Sequence, residues 1–124
     1  MPGLPSLEIL AILWEHGPQT VKQVHDTIRV TRDVGYTTVL KLMQLMTEKG
    51  LLERDESERS HVYRAAVPEK KVKKRLLSDL LDRAFDGSTA SMVQQLLSAK
   101  RASPKELDEI RAMLDEHRKH RSDR

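Results

Sequence analysis

The sequence predicts a mainly α chain with one small β-hairpin: an N-terminal winged helix-turn-helix followed by a C-terminal helical dimerisation module. Three observations carry this. Short helical segments separated by tight breaks fill roughly the first fifty residues, enough for a tri-helical core. The apolar period then shortens toward two across Leu51–Ala66. Beyond Pro68, three amphipathic segments carry wide aliphatic stripes with Phe85 as their one aromatic residue.

The elements follow in order. Ser6 is placed to cap a first helix, LEILAILWEHG, whose apolar side is Leu7, Ile9, Leu10 and Trp14. Gly17-Pro18 stops it. Thr20-Val-Lys-Gln23 reads as a capping box, with Thr20 bonding forward and Gln23 reaching back, and Val21, Val24 and Ile28 form the inner face of a second helix. After a break at Thr31–Gly35, GYTTVLKLMQLMTEKG gives a third helix with Val39, Leu42, Met43 and Met46 at i, i+3, i+4, i+7, closed by Gly50. Two extended segments, Leu51–Arg54 and His61–Ala66, flank a polar turn at Asp55–Ser60 and form the hairpin. Pro68 suits the first turn of a fourth helix ending at Gly87, and Ser88–Ala99 forms a fifth. Ser103-Pro-Lys-Glu106 is a second capping box opening a sixth. The tail HRKHRSDR has no apolar anchor and is expected to fray.

Two domains result, residues 1–68 and residues 69–124. Alone, the last three helices approach the size at which a single core becomes marginal. Their stripes are therefore expected to meet a second copy through Leu76, Leu77, Leu80, Leu81, Phe85, Met92, Val93, Leu96, Leu97, Leu107, Ile110, Met113 and Leu114.

Composition bounds the function. The chain has 124 residues, 38% hydrophobic and 33% charged, with aliphatic residues spread along its length, which fits a globular protein. It holds no run of about eighteen apolar residues and no charged-then-apolar leader, so neither a membrane span nor a signal peptide is expected. A cytoplasmic location is the expectation. Without cysteine there is no disulfide framework and no thiolate metal site. Net charge is +3, but residues 1–68 hold 8 Lys/Arg against 9 Asp/Glu, while residues 69–124 hold 14 against 10. A polyanion partner must then be met by local placement of cations, with the acids of the first half facing elsewhere.

The third helix supplies that placement. Opposite its apolar stripe stand Thr37, Thr38, Lys41 and Gln44. Threonine hydroxyls at a helix N-terminus suit a phosphate or a base edge. Lysine one turn on reaches guanine or phosphate, and the glutamine fork fits adenine. Tyr36 stands beside them at the helix start. In the hairpin, Arg54, Arg59, His61 and Arg64 are candidates for the sugar-phosphate backbone, with Arg59 and Arg64 preferred because Asp55, Glu56 and Glu58 dilute the rest. Lys22 on the second helix is a further backbone candidate. The basic run Lys70–Arg75 either touches flanking DNA or is a solvated helix start.

Enzyme chemistry finds no motif: no Gly-rich phosphate loop, nucleophile elbow or metal-ligand spacing, since only His117 and His120 share a helical spacing and they lack a third ligand. No cofactor is expected. Two other classes stay open, a winged-helix protein-interaction module and a small metal-dependent hydrolase requiring His16, His25 and His61 to converge.

The stretches LEILAILWEHGPQTVKQV, GYTTVLKLMQLMTEKGLLERDESERSHVYRAAV and LLSDLLDRAFDGSTASMVQQLL resemble the penicillinase-repressor family of bacterial transcriptional regulators, from about Leu4 to Leu114. That resemblance implies a homodimeric winged-helix repressor on an inverted-repeat operator with TACA/TGTA-like half-sites. It assigns base reading to Thr37, Thr38 and Lys41, the wing contact to Arg59, and the partner helices to Leu76–Phe85 and Leu107–Leu114. It also implies release through a membrane-bound sensor protease that leads to cleavage in the dimerisation module. Gln95-Leu96 stands where relatives have an Asn-Phe cleavage pair, Leu45 where many have Arg, and Glu58 where the wing commonly has Gly.

Overall fold

The computed structural model describes residues 4–99 and 102–122, with element order α1 (Leu4–His16), β1 (Gln19–Thr20), α2 (Val21–Ile28), α3 (Tyr36–Glu48), β2 (Leu52–Asp55), β3 (Val62–Ala65), α4 (Glu69–Ala84), α5 (Thr89–Ala99) and α6 (Pro104–Ser122). It divides into two compact units, residues 1–77 and residues 78–124.

In the first unit, local chemistry sets each boundary. Thr20 Oγ1 accepts the Gln23 N–H at 3.3 Å while Gln23 Oε1 accepts the Thr20 N–H at 2.9 Å, completing the predicted capping box of α2. Gly50, at φ +81, ends α3: its N–H donates to the Thr47 carbonyl and the Leu51 N–H to the Met46 carbonyl. This paired return needs a left-handed residue, which glycine supplies without a Cβ penalty.

The core is the meeting of three helices and a sheet. Ile9, Leu10 and Leu13 of α1, Val21, Val24 and Ile28 of α2, Val39, Met43 and Met46 of α3, Leu52 of β2 and Tyr63 of β3 form one buried cluster. Each such side chain contributes on the order of 1.5–3 kcal/mol of burial. The sheet runs β1-β3-β2, antiparallel throughout, with Glu53 opposite Arg64, Arg54 opposite Tyr63 and Thr20 opposite Val62.

Several expectations change. α1 already includes Ser6, which therefore does not cap it; Pro5 needs no N–H within a first turn. Leu13 is buried, whereas Leu7 and Trp14 are only partly covered, and Leu42 sits at the margin of its stripe. The hairpin spans Leu52–Asp55 and Val62–Ala65, leaving His61 in the turn, and gains β1 as a third strand. The tail expected to fray is helical to Ser122, with Lys119, His120 and Arg121 favourably placed at the helix C-terminus; Asp123 and Arg124 lie outside the described residues.

The second unit contrasts with the first. Ser88 Oγ accepts the Ser91 N–H and Ser103 Oγ accepts the Glu106 N–H, each at 3.1 Å, so α5 and α6 are locally capped. Among the described residues, none in α4, α5 or α6 is buried.

Candidate nucleic-acid interface

α3 is held from one side. Val39, Met43 and Met46 point into the core, and at about 100° per residue the opposite face carries Thr37, Lys41, Gln44 and Glu48. Thr37, Lys41 and Gln44 are all exposed. Tyr36 and Thr38 take the two flanks. Tyr36, 46% exposed, turns toward α2 and meets His25 edge to face. Thr38 turns the other way, lining a cleft of about 360 Å³ with Glu8, Arg32, Asp33 and Leu42. The two adjacent threonines therefore face different surroundings, a distinction that the pairing Thr37-Thr38 in sequence conceals. Gly35 caps α3 without a side chain, so the first turn keeps backbone N–H groups free for an outside acceptor.

Ion pairing sorts the cations of the first unit. Arg29 pairs with Asp26, Arg32 with Glu8 at 2.5 Å, Arg54 with Glu56 at 2.5 Å, Arg64 with Glu53, and Lys73 with Glu69. Among the described residues of this unit, Lys22, Lys41, Lys49, Arg59, Lys70, Lys71, Lys74 and Arg75 have no ion-pair partner. Four of the acids that dilute the charge of residues 1–68 are thus neutralised locally. In the basic run, Lys73 faces Glu69, while Lys71 and Arg75 border an apolar groove of about 330 Å³ with Leu51, Val67, Val72 and Leu76.

The hairpin distributes its residues by strand parity. Leu52 and Arg54 share the inner face. Opposite Arg54 Tyr63 is buried, and the Arg54 guanidinium is held above its ordinary pKa first by a hydrogen bond with Tyr63, a gain that desolvation partly offsets and the nearby Glu56 carboxylate adds to. Arg64 lies on the outer face across from Glu53, its Nε donating to Glu53 Oε2 at 2.9 Å. Arg59 and His61 stand exposed in the turn, and Lys22 is exposed on α2. Register explains why three arginines of one hairpin have three environments.

None of the residues assigned to a partner surface is buried. Leu77, Leu80, Val93, Leu96, Leu97, Leu107, Met113 and Leu114 are exposed, while Leu76, Leu81, Phe85, Met92 and Ile110 are partly covered. Gln95 and Leu96 lie within α5, both exposed. Among the described residues no group of histidine and acidic side chains converges as a metal site, and no helix is long and apolar enough to cross a membrane.

The sequence offers His25 only as one of three histidines of a rival metal site, whereas its ring bonds the Val34 carbonyl just before α3. Its signal was the bare glycine cap of the following helix, which has to be held from elsewhere.

Comparison with known proteins agrees with this architecture. The chain is 32% identical over 106 residues to the transcriptional regulator BlaI of Mycobacterium tuberculosis, covering 84% of this chain and 75% of that protein. It is 24% identical over 112 residues to the penicillinase repressor of Bacillus licheniformis, covering 90% and 88%. With the methicillin resistance regulatory protein MecI of Staphylococcus aureus the identity is 20% over 108 residues, covering 87% and 88%. A solved MarR family protein from Bacillus stearothermophilus shares the fold, with TM-score 0.51 and 18% identity over 98% of this chain and 76% of that one. The profile of the penicillinase repressor family matches residues 5–116. The chain belongs to the penicillinase repressor family, and its function is that of a DNA-binding transcriptional repressor.

Proposed function

We propose that two copies of the chain bind an inverted-repeat operator in the cytoplasm, each placing α3 in a major groove and the β2–β3 hairpin along the backbone. The observation that carries this is the outward face of α3, where Thr37, Lys41 and Gln44 are exposed together and Lys41 has no acidic partner among the described residues. Thr37, Lys41 and Gln44 read bases; Tyr36 and Thr38 frame them. Arg59, His61, Lys22 and, on leaving Glu53, Arg64 meet phosphates and set affinity.

Residues 1–68 are the DNA-binding domain and residues 69–124 the dimerisation domain. The uncovered stripes of α4, α5 and α6 support the second assignment, because burying them against another copy removes apolar surface from water. Two half-sites about one helical turn apart, roughly 34 Å, are then gripped through one effective concentration. Splitting the dimer releases DNA. A membrane-bound sensor protease acting near Gln95-Leu96 is one route to that split, and it requires α5 to open first, since cleavage concentrates in exposed irregular backbone.

Fluorescence anisotropy with an inverted TACA/TGTA duplex and a scrambled duplex, across a salt series, tests the reading. Saturation at two chains per repeat, with Lys41→Ala losing about 1–3 kcal/mol of discrimination, is the expected result. Equal weak binding to both duplexes overturns this operator assignment and favours a protein partner.

A further inference from the structure

Gly35 leaves the start of α3 without a side-chain cap, so the turn before it has to be pinned from other elements. Among the described residues two side chains serve as such pins. Arg32 Nη2 lies 2.5 Å from Glu8 Oε1, tying the turn to α1. His25 Nε2 lies 2.8 Å from the Val34 carbonyl, tying it to α2. A carbonyl only accepts, so Nε2 carries the hydrogen and donates. The same imidazole meets Tyr36 with ring centroids 6.0 Å apart and planes at 89°, the edge-to-face arrangement that aromatic quadrupoles favour. Val34 and Tyr36 flank Gly35, so one side chain grips the residue on either side of the helix cap. The Val39 N–H to Gly35 carbonyl bond, 3.2 Å, is the opening bond of α3 and lies directly behind this grip.

We propose that His25 is a positioning residue for base reading: its bond to Val34 and its contact with Tyr36 fix where α3 begins and how it is rolled. Thr37 and Lys41 lie within the first two turns, so a shift at the cap moves both relative to base edges, whereas phosphate contacts by long cations tolerate it. Operator selectivity depends on His25 more than general DNA affinity does. The inference rests on the DNA-binding reading above.

The test uses the full chain and two variants. His25→Phe keeps a ring against Tyr36 and removes the donor; His25→Gln keeps an amide donor and removes the ring. Affinities are measured for the inverted TACA/TGTA duplex and for a scrambled duplex at one salt concentration. The expected result is a ratio lowered roughly tenfold by His25→Phe, with scrambled-duplex affinity within about twofold, and partly restored in His25→Gln. An unchanged ratio in folded His25→Phe overturns the proposal. Amide hydrogen exchange supplies an arm that needs no DNA: the Val39 amide exchanges about tenfold faster in His25→Phe while the Met46 amide does not. Equal Val39 exchange overturns the latch itself. A wild-type chain that fails to distinguish the duplexes defeats the operator reading alone, and the exchange arm still decides the role of His25.

Discussion

The indole Nε1–H of Trp14 donates to the Val67 carbonyl at 3.0 Å, joining α1 to the segment that leads into α4 across 53 positions of sequence. The bond satisfies both a partly buried donor and a backbone acceptor that no strand partner reaches. Trp14→Phe keeps an aromatic ring and orphans the carbonyl, and is expected to cost about 1–2 kcal/mol. The midpoint of urea unfolding followed by circular dichroism measures it; a change under about 0.5 kcal/mol would show that water replaces the indole.

Glu53 faces Arg64 across β2 and β3, and their side chains are ion-paired with both exposed. Such a surface pair is worth about 0–1 kcal/mol, so Glu53→Gln leaves stability nearly unchanged. It also frees Arg64 for phosphate. The slope of log Kd against log salt is expected to steepen by about one unit in Glu53→Gln and to flatten by a similar amount in Arg59→Ala. A slope unmoved by Glu53→Gln would place Arg64 off the DNA.

Asp55 opens the hairpin turn. Its carboxylate accepts the Ser57 N–H at 2.9 Å, and this bond, then the Ser57 hydroxyl, hold its pKa below the ordinary value against a smaller effect of burial. A folded pKa below the unfolded one means the contribution is fully present above about pH 4 and is lost as pH falls through the folded value. The Ser57 amide resonance, titrated by NMR, should therefore report an acid transition below about pH 4 that Asp55→Asn abolishes.

Leu96 and Met113 are 59% and 65% exposed. Substituting either by Glu removes no buried contact within one chain, so helix content should hold, with monomer effects within about 0.5 kcal/mol. Across a dimer, the same change buries a charge. Sedimentation equilibrium is expected to show a shift toward monomer for Leu96→Glu and Met113→Glu, accompanied by lost two-to-one binding of a repeat. A dimer unaffected by both substitutions would move the partner surface elsewhere.

What the sequence made legible was local. The Thr20–Gln23 box, the Val21-Val24-Ile28 face, the Gly50 stop and the hairpin each follow from interactions within about five residues or from period alone. β1 was not legible, because two residues display no alternation and one of them, Thr20, already reads as a helix cap. Leu13 escaped notice because the first helix is apolar nearly all round, which blurs its inner face. The separate surroundings of Thr37 and Thr38 arise from helix roll against α1 and α2, which only packing determines. His25 meets Val34 and Tyr36 through a turn whose path no short motif encodes. The environments of Arg54 and Arg64 required knowing which hairpin residues stand opposite one another.

Because β3 lies between its neighbours, β2 is an edge strand over Leu52–Asp55, and its three exposed residues are Glu53, Arg54 and Asp55. An open strand edge is a template for recruiting foreign strands, and consecutive charges of alternating sign oppose that recruitment. The opposite margin, β1, is only two residues long and runs straight into α2, too short to seed a ladder. The hairpin is thereby guarded against amyloid-like stacking while its tip stays open, and replacing Glu53 and Asp55 together with Val would trade that guard for a self-adhesive ribbon.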